Sequence, residues 1–550
     1  MPLMSFQRVL LCAVIVSAAI SGGCLVGPDY KKPAEKIPDQ FHVVTSQPSA
    51  TDLSLWWKSL NDPVLDDLVD HALAQNLDLA IAVDRVEEAR AARVIVAAGL
   101  WPMLGLNSHF PDYRRASANV ESPRWESRPR GSLQLRQNVD KNGVAGTPSF
   151  YATLPGHHPT SFLFTPGTDN VVTNVRPPLL SPDPKESFVN RDWFVFQGGL
   201  DVAWELDVFG GVHRAVEAAS AEVEVETETR NDVLVMLLSD VARTYVELRG
   251  LQQRLDIAQQ NIESQQTTVN LVHTRFKNGL TSDLDVALAE RQLETTQSRV
   301  PILQSGIAMA KDRLAYLLDQ PVDDLDAMLN RGAPLVEPPL SVPPGLPSDL
   351  LRVRPDIRRA ERELAASTAY IGVATAELYP RFTLTGSFGS QSSDVRKLLD
   401  ADSLVWSAGP GLRWPVFEGG RIIGNIYVRQ LRAEQSLLNY RRVLLTAFKE
   451  VDDALAGYAS QRDRYDKLRQ AVDSSTRAVR IATQRYEKGL TDFLNVLDAQ
   501  RALYELEDQF ATSGQDALTQ LIALYKALGR GWENVAPTLP NTTGSSTVNG

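Results

Sequence analysis

The sequence predicts an α+β membrane protein made of two internal repeats, each supplying two amphipathic β-strands and a hairpin of very long α-helices. Three observations carry this. First, Arg275-Phe276-Lys277-Asn278-Gly279-Leu280-Thr281 recurs 210 residues later as Arg485-Tyr486-Glu487-Lys488-Gly489-Leu490-Thr491, followed in register by Leu284 with Leu494, Val286 with Val496 and Ala289 with Ala499. Val208-Phe209 likewise pairs with Val416-Phe417, and Trp101-Pro102 with Tyr379-Pro380, in the same order. Second, no proline interrupts the stretch between Phe209 and Pro301 or that between Pro415 and Pro537. Within them Leu234, Leu237, Val241, Tyr245 and Leu248, and then Leu444, Phe448, Val451, Leu455 and Tyr458, keep the three–four spacing of a coiled coil. Third, four short segments alternate apolar with polar residues at the period of a strand.

Composition narrows the function classes. Hydrophobic residues make up 43 % and charged residues 22 %, which suits a folded chain, and the net charge of −11 argues against a nucleic-acid partner. With two cysteines, Cys12 and Cys24, there is no disulfide scaffold and no Cys-rich metal site. No Gly-Lys pair occurs, so a phosphate-binding P-loop is excluded. No apolar run is long enough for a membrane-spanning helix. The histidines are scattered without metal-ligand spacing, no cofactor is expected, and nothing points to an enzyme.

Residues 1–23 read as a signal peptide: Arg8, an apolar run Val9–Ile20, then Ser21-Gly22-Gly23 before Cys24. Small residues ahead of a cysteine are similar to a bacterial lipoprotein signal, in which Cys24 becomes the lipidated first residue. An ordinary signal peptide cut nearby leaves Cys24 a free thiol instead. Residues 24–55 follow as an N-terminal extended segment.

Repeat 1 spans 56–319. A helix through Leu65, Leu68, Ala72, Leu73, Leu77 and Ala80 precedes a strand at about 102–114. A second strand at about 193–209 puts Phe196, Leu200, Val202 and Trp204 on one face and Asp201, Glu205 and Asp207 on the other. Between them, residues 112–191 hold ten prolines and read as an inserted loop, facing the cell exterior if the strands form an outer-membrane barrel. A helix from about 212 to 277 ends at the tight turn of Gly279. Residues 320–347, rich in proline, link the copies. Repeat 2 spans 348–532: a helix from Ile357 to Leu378, strands at about 381–391 and 404–417, then long helices that reverse at Gly489. In these strands Phe382, Leu384, Phe388, Trp406 and Leu412 oppose Thr383, Ser387, Ser407 and Arg413. Residues 533–550 read as a flexible tail.

The alternation fits a membrane barrel and equally a soluble sheet packed on helices. Counting bears on this. Four strands cannot close a barrel, and an open edge in lipid leaves backbone groups unsatisfied. If these strands enter a membrane, several chains share one barrel. The apolar face then meets lipid, and Asp201, Glu205, Asp207 and Arg413 face the lumen.

Several further segments carry a family resemblance. Cys24-Leu25-Val26-Gly27-Pro28-Asp29-Tyr30 looks like the start of mature outer-membrane efflux lipoproteins. Trp56-Trp57, Arg354-Pro355-Asp356-Ile357 and Leu524-Tyr525-Lys526-Ala527-Leu528-Gly529 are similar to other signatures of the same family. The chain resembles the TolC family of outer-membrane efflux factors, most closely its OprM-like lipoprotein branch, from Cys24 to Trp532. The resemblance implies a homotrimer whose strands close one twelve-stranded barrel, continued by a helical tunnel through the periplasm. It implies a passive exit duct of the outer membrane, anchored at Cys24 by lipid such as palmitate. Its partners would be a periplasmic adaptor protein and an inner-membrane pump, commonly of the resistance–nodulation–division class.

Residue roles follow by the same resemblance. Gly279, Leu280 and Thr281, with Gly489, Leu490 and Thr491, match turns that contact the adaptor. Leu494 and Asp498 match the constricting gate at the periplasmic entrance. Asp285 and Tyr486 match a latch that ties the outer hairpin to the inner one. A second ring aspartate of TolC is Asn495 here, and a latch arginine is Thr491, so both features depart from that pattern. The competing reading is a soluble periplasmic coiled-coil scaffold, which accounts for the helices and leaves four symmetrically placed strands unexplained.

Overall fold

The computed structural model describes residues 25–34, 38, 41, 53–109, 133–136, 149–152, 196–330, 335–339, 347–392 and 394–533. Cys24, most of the inserted loop and the tail after Glu533 lie outside the described residues. The chain forms two compact units. One holds residues 1–104, 202–386 and 408–550, and the other 105–201 and 387–407.

In chain order, a 3₁₀ turn Trp56–Leu60 leads to helices α1 (Pro63–Gln75) and α2 (Leu77–Ala98) and strand β1 (Met103–His109). The inserted segment contributes β2 (Leu133–Arg136) and β3 (Ser149–Ala152), an antiparallel pair with Leu133 opposite Ala152, where the sequence suggested only a loop. Strand β4 (Phe196–Leu206) precedes α3 (Gly211–Lys277), α4 (Asp283–Gln297) and α5 (Val300–Leu318). Within the expected linker lie α6 (Val322–Leu329) and the start of α7 (Pro347–Val353). Then come α8 (Pro355–Ala376), β5 (Arg381–Ser392), β6 (Leu404–Arg413), α9 (Arg421–Glu487) and α10 (Phe493–Ala527). Strands β1, β4, β5 and β6 form one sheet in that order, two from each copy.

The long helices are real and matched: α3 and α9 are each 67 residues, about 100 Å at 1.5 Å per residue. Each starts after a glycine in the left-handed region, Gly210 at φ 73° and Gly420 at φ 89°. The outgoing arms differ. Copy two returns in one helix, α10, whereas copy one breaks between Gln297 and Val300. Pro301 sits in the first turn of α5, where a missing N–H removes no hydrogen bond.

The single helix expected through Leu65–Ala80 is two. Asn76 adopts extended backbone and breaks it. Its side chain then starts α2, accepting from the Leu79 N–H at 2.9 Å and donating to the Leu317 carbonyl at 2.9 Å.

The main core lies where both copies' shorter helices pack on the long ones, with Leu68, Val241, Leu314, Ile357, Val451 and Leu521 fully buried. Trp56 stacks on Tyr525 at 5.0 Å. Leu325 and Leu329 of α6 belong to this core, which is why a proline-rich span still folds there. Truncating one such leucine would cost about 2–5 kcal/mol. Arg354 is buried here; it bonds Asp356 at 2.6 Å, Glu450 at 2.8 Å and the Ala527 carbonyl at 2.6 Å. Gly529, at φ 67°, leaves room for the Arg354 side chain. The signature segments around Trp56, Arg354 and Leu524 therefore hold the core together.

The repeat also governs how strands join helices. Trp204 Nε1 donates to the Leu100 carbonyl at 3.0 Å, and Trp414 Nε1 donates to that of Leu378 at 3.1 Å. Phe209 of one copy stacks on Tyr379 of the other at 4.5 Å.

Candidate functional site

Two regions carry the predicted functional residues. Along the strands, the apolar face read from the sequence is uncovered. Leu104, Leu106, Phe388, Leu404, Trp406, Leu412 and Trp414 are all exposed, Leu106 at 80 % and Trp406 at 77 %. An exposed apolar face of this extent requires an apolar solvent or a partner. On the other face Asn107 donates to Asp201, and Ser387 pairs with Ser407 at 2.8 Å. Glu205 lies 4.0 Å from Arg381, and Arg413 is exposed on β6. Asp207 departs from the expected lumen row. It falls past the end of β4, where its carboxylate accepts from the His213 backbone N–H and pairs with His213 Nδ1, both at 2.7 Å. It thus secures the start of α3.

The second region is the pair of hairpin tips. Each long helix ends in the same turn. At the first, Gly279 N–H bonds the Phe276 carbonyl and Leu280 N–H bonds that of Arg275, both at 2.9 Å. At the second, Gly489 N–H bonds the Tyr486 carbonyl and Leu490 N–H bonds that of Arg485, both at 2.9 Å. These paired bonds close a helix C-terminus through a left-handed residue. Gly279 at φ 71° and Gly489 at φ 70° supply it, and a Cβ at either would meet nothing, so conformation alone demands glycine. Leu280 and Leu490 project into solvent at 64 % and 63 % exposure.

Behind the turns lies a small core of Val269, Val272, Val286, Leu293, Tyr486, Phe493, Val496 and Leu497, drawn from both hairpins. It orients α10. Phe493, Val496 and Leu497 face inward, while Leu494 and Asp498, one turn apart, share the exposed opposite face. Asn495 donates to Thr491 Oγ1 at 2.9 Å.

The expected latch bond between Asp285 and Tyr486 is not made. Asp285 belongs to a capping box: its carboxylate accepts from Thr281 Oγ1, from Ser282 N–H at 3.2 Å and from Ser282 Oγ at 3.1 Å. Burial opposes its charge, but these hydrogen bonds win and hold its carboxyl below the usual range. The Tyr486 hydroxyl is buried without a partner. Its ring packs on Phe493 at 5.5 Å and lies under the Arg275 guanidinium at 4.7 Å. Arg275 also donates to the Glu487 carbonyl at 3.3 Å. The tie between tips runs through Arg275, which the sequence reading did not single out.

Four strands with a bare apolar face, together with two helical hairpins with matched tips, define a subunit of a channel whose barrel is shared between chains. The family model described as outer membrane efflux protein matches residues 188–319 and 346–530, one stretch in each copy. The chain belongs to the outer membrane efflux protein family. It is similar to the pyoverdine export outer membrane protein OpmQ of Pseudomonas putida, 31 % identical with 88 % of this chain and 89 % of the relative covered. It is also similar to the toluene efflux pump outer membrane protein TtgF of P. putida, at 29 % identity over 95 % and 97 % of the two chains. Among solved structures, the outer-membrane channel OprN matches with a TM-score of 0.73 and 31 % identity, covering 92 % of this chain and all of that one. The uncovered strand face is therefore the lipid face of an outer-membrane barrel. Three chains close the twelve-stranded barrel that four strands cannot, and the soluble scaffold is set aside.

Proposed function

We propose that this chain forms a passive exit duct gated at its periplasmic tips, taking its cargo from an inner-membrane pump of the resistance–nodulation–division class through a periplasmic adaptor. One observation supports the gate above all: Leu494 and Asp498 share an exposed face of α10, turned away from the core that fixes that helix. Around a threefold axis they make an apolar collar and a ring of three carboxylates. Like charges so arranged repel one another, favour cations and oppose anions. Asp201, Glu205 and Arg413 line the lumen of the barrel. The exposed turns Gly279-Leu280-Thr281 and Gly489-Leu490-Thr491 offer the adaptor two apolar knobs of the same shape. Cargo such as the pyoverdine and toluene named for its relatives would be chosen upstream, because a duct is permissive.

Reversal potentials across planar bilayers test the gate. Asp498→Ala should lower cation preference and relieve block by divalent cations, and Leu494→Ala should raise conductance. Unchanged selectivity and conductance in both variants would place the constriction elsewhere. Cys24 carries the lipid anchor in this reading, so labelled palmitate should enter the wild type and be lost in Cys24→Ala. The anchor should be secondary to the barrel in holding the trimer.

A further inference from the structure

The helix α3 meets the second hairpin through polar side chains spaced by sevens: Arg254, Asn261, Thr268 and Arg275. Seven residues return a helix to one seam, so the four lie along a single line. Each has a partner in the other hairpin. At the end far from the tip, Arg254 grips Asp508 with two bonds, Nε at 2.7 Å and Nη2 at 3.2 Å, and both side chains are partly buried. One step on, Asn261 donates to Glu507 at 2.8 Å. Next, Gln500 donates to the Thr268 hydroxyl at 2.9 Å. At the tip, Arg275 lies over the Tyr486 ring and reaches the Glu487 carbonyl by a single bond of 3.3 Å. Gln500 and Glu507, both on α10, are likewise seven apart, so the two rows stay in register there.

Over the first three steps the polar contacts weaken toward the tip. A forked ion pair is the strongest of these contacts, a charge-assisted amide bond comes next, and a neutral amide–hydroxyl bond is weaker. At the tip two buried polar atoms have no partner at all, Arg275 Nε and the Tyr486 hydroxyl. Such atoms gain by meeting water, so separation there recovers hydration that closure denies.

We propose that this row is a graded seam holding the second-copy hairpin to the first, released from Arg275 upward and stopped at the Arg254–Asp508 pair. The inference rests on the tip-gate reading: the seam sets how far α10, and with it Leu494 and Asp498, can move. Arg275 acts as a positioning residue, since it touches neither the constriction nor the cargo. Its repeat counterpart Arg485 is exposed and makes no ion pair or ring contact among the described residues, which makes it the natural control.

Single-channel recordings of the full-length trimer test this, with trimer content checked on native gels. Arg275→Ala should raise open probability about tenfold, the shift equivalent to about 1.4 kcal/mol. Arg275→Lys, which keeps a cation over the ring and loses the fork, should fall between. Arg485→Ala should match the wild type. In a double-mutant cycle, Arg275→Ala should add little on a Tyr486→Leu background, because both remove the same contact. Arg254→Ala should instead add a higher conductance level, as opening runs past its stop. If Arg275→Ala behaves like Arg485→Ala while Asp498→Ala still alters selectivity, the gate stands and the seam is wrong. If Asp498→Ala is silent too, the gate reading has failed and takes the seam with it.

Discussion

The two hairpin tips began as one motif and now do different work. Both end a 67-residue helix in the same glycine turn with the same pair of backbone bonds. Beyond the turn they diverge. The first caps itself through Ser282 and Asp285, while the second has no side-chain cap from Asp492 and bonds Asn495 to Thr491 instead. Phe276 of the first is 42 % exposed, but its counterpart Tyr486 is 4 % exposed. The backbone of the repeat is set by φ requirements and by the heptad, which both copies must satisfy. Polar ties are cheap to alter, and there the copies have separated: the first tip is self-sufficient, and the second leans on it.

Four measurements test that contrast. The largest effect should come from the aromatic pair. Tyr486→Ala empties a buried site and should loosen the tip core by about 3–5 kcal/mol, whereas Phe276→Ala should stay within about 0.5 kcal/mol. Hydrogen exchange of amides near Val269 and Val496 reads this directly, and equal losses would erase the asymmetry. The glycines should behave alike. Gly279→Ala and Gly489→Ala each force an alanine into the left-handed region at about 1–2 kcal/mol, so their exchange rates should rise in parallel.

Third, Asp285→Ala should cost the first tip about 0.5–2 kcal/mol, and Asn495→Ala should cost the second less. The cap also predicts a pH dependence. Asp285 is held below its ordinary value when folded, so its contribution is present above the unfolded pKa and lost as pH falls through the depressed folded value. Amide exchange at Ser282 and Asp285 should therefore accelerate in acid, below the usual carboxylate range, with no matching change at Asn495. The fourth, Tyr486→Phe, should be the one gain. Removing a buried hydroxyl that has no partner should raise thermal stability of the tip by about 1 kcal/mol. A marked loss would mean that this oxygen is bonded after all.

Much of the fold was legible in the sequence because its signals are periodic. The absence of proline and the three–four spacing marked α3 and α9, the alternation marked three of the strands closely, and Gly279 and Gly489 marked the turns. The break at Asn76 is hidden in the sequence because the apolar spacing runs through it, although asparagine is a residue able to cap. The helix α6 was hidden by its proline-rich flanks, yet Leu325 and Leu329 stand four apart as a buried face requires. The site was less legible. A resemblance placed Asp285 opposite Tyr486 but could not show that Thr281 and Ser282 compete for the same carboxylate. The sevenfold spacing of Arg254, Asn261, Thr268 and Arg275 is present in the sequence but carries little signal there, because apolar residues define a coiled coil and polar ones seldom do.

The equal length of α3 and α9 has a consequence for how such a protein can change size. The two helices act as paired rulers, because Arg275 must arrive at the same level as Tyr486. Removing seven residues from one alone would preserve its own facing but throw the two scales out of step at the tip. Removing one heptad from every helix of the bundle would keep the scales aligned and shorten the reach by about 10 Å. The reach of the helical hairpins is thus set in discrete increments, adjustable only by whole steps taken in all helices together.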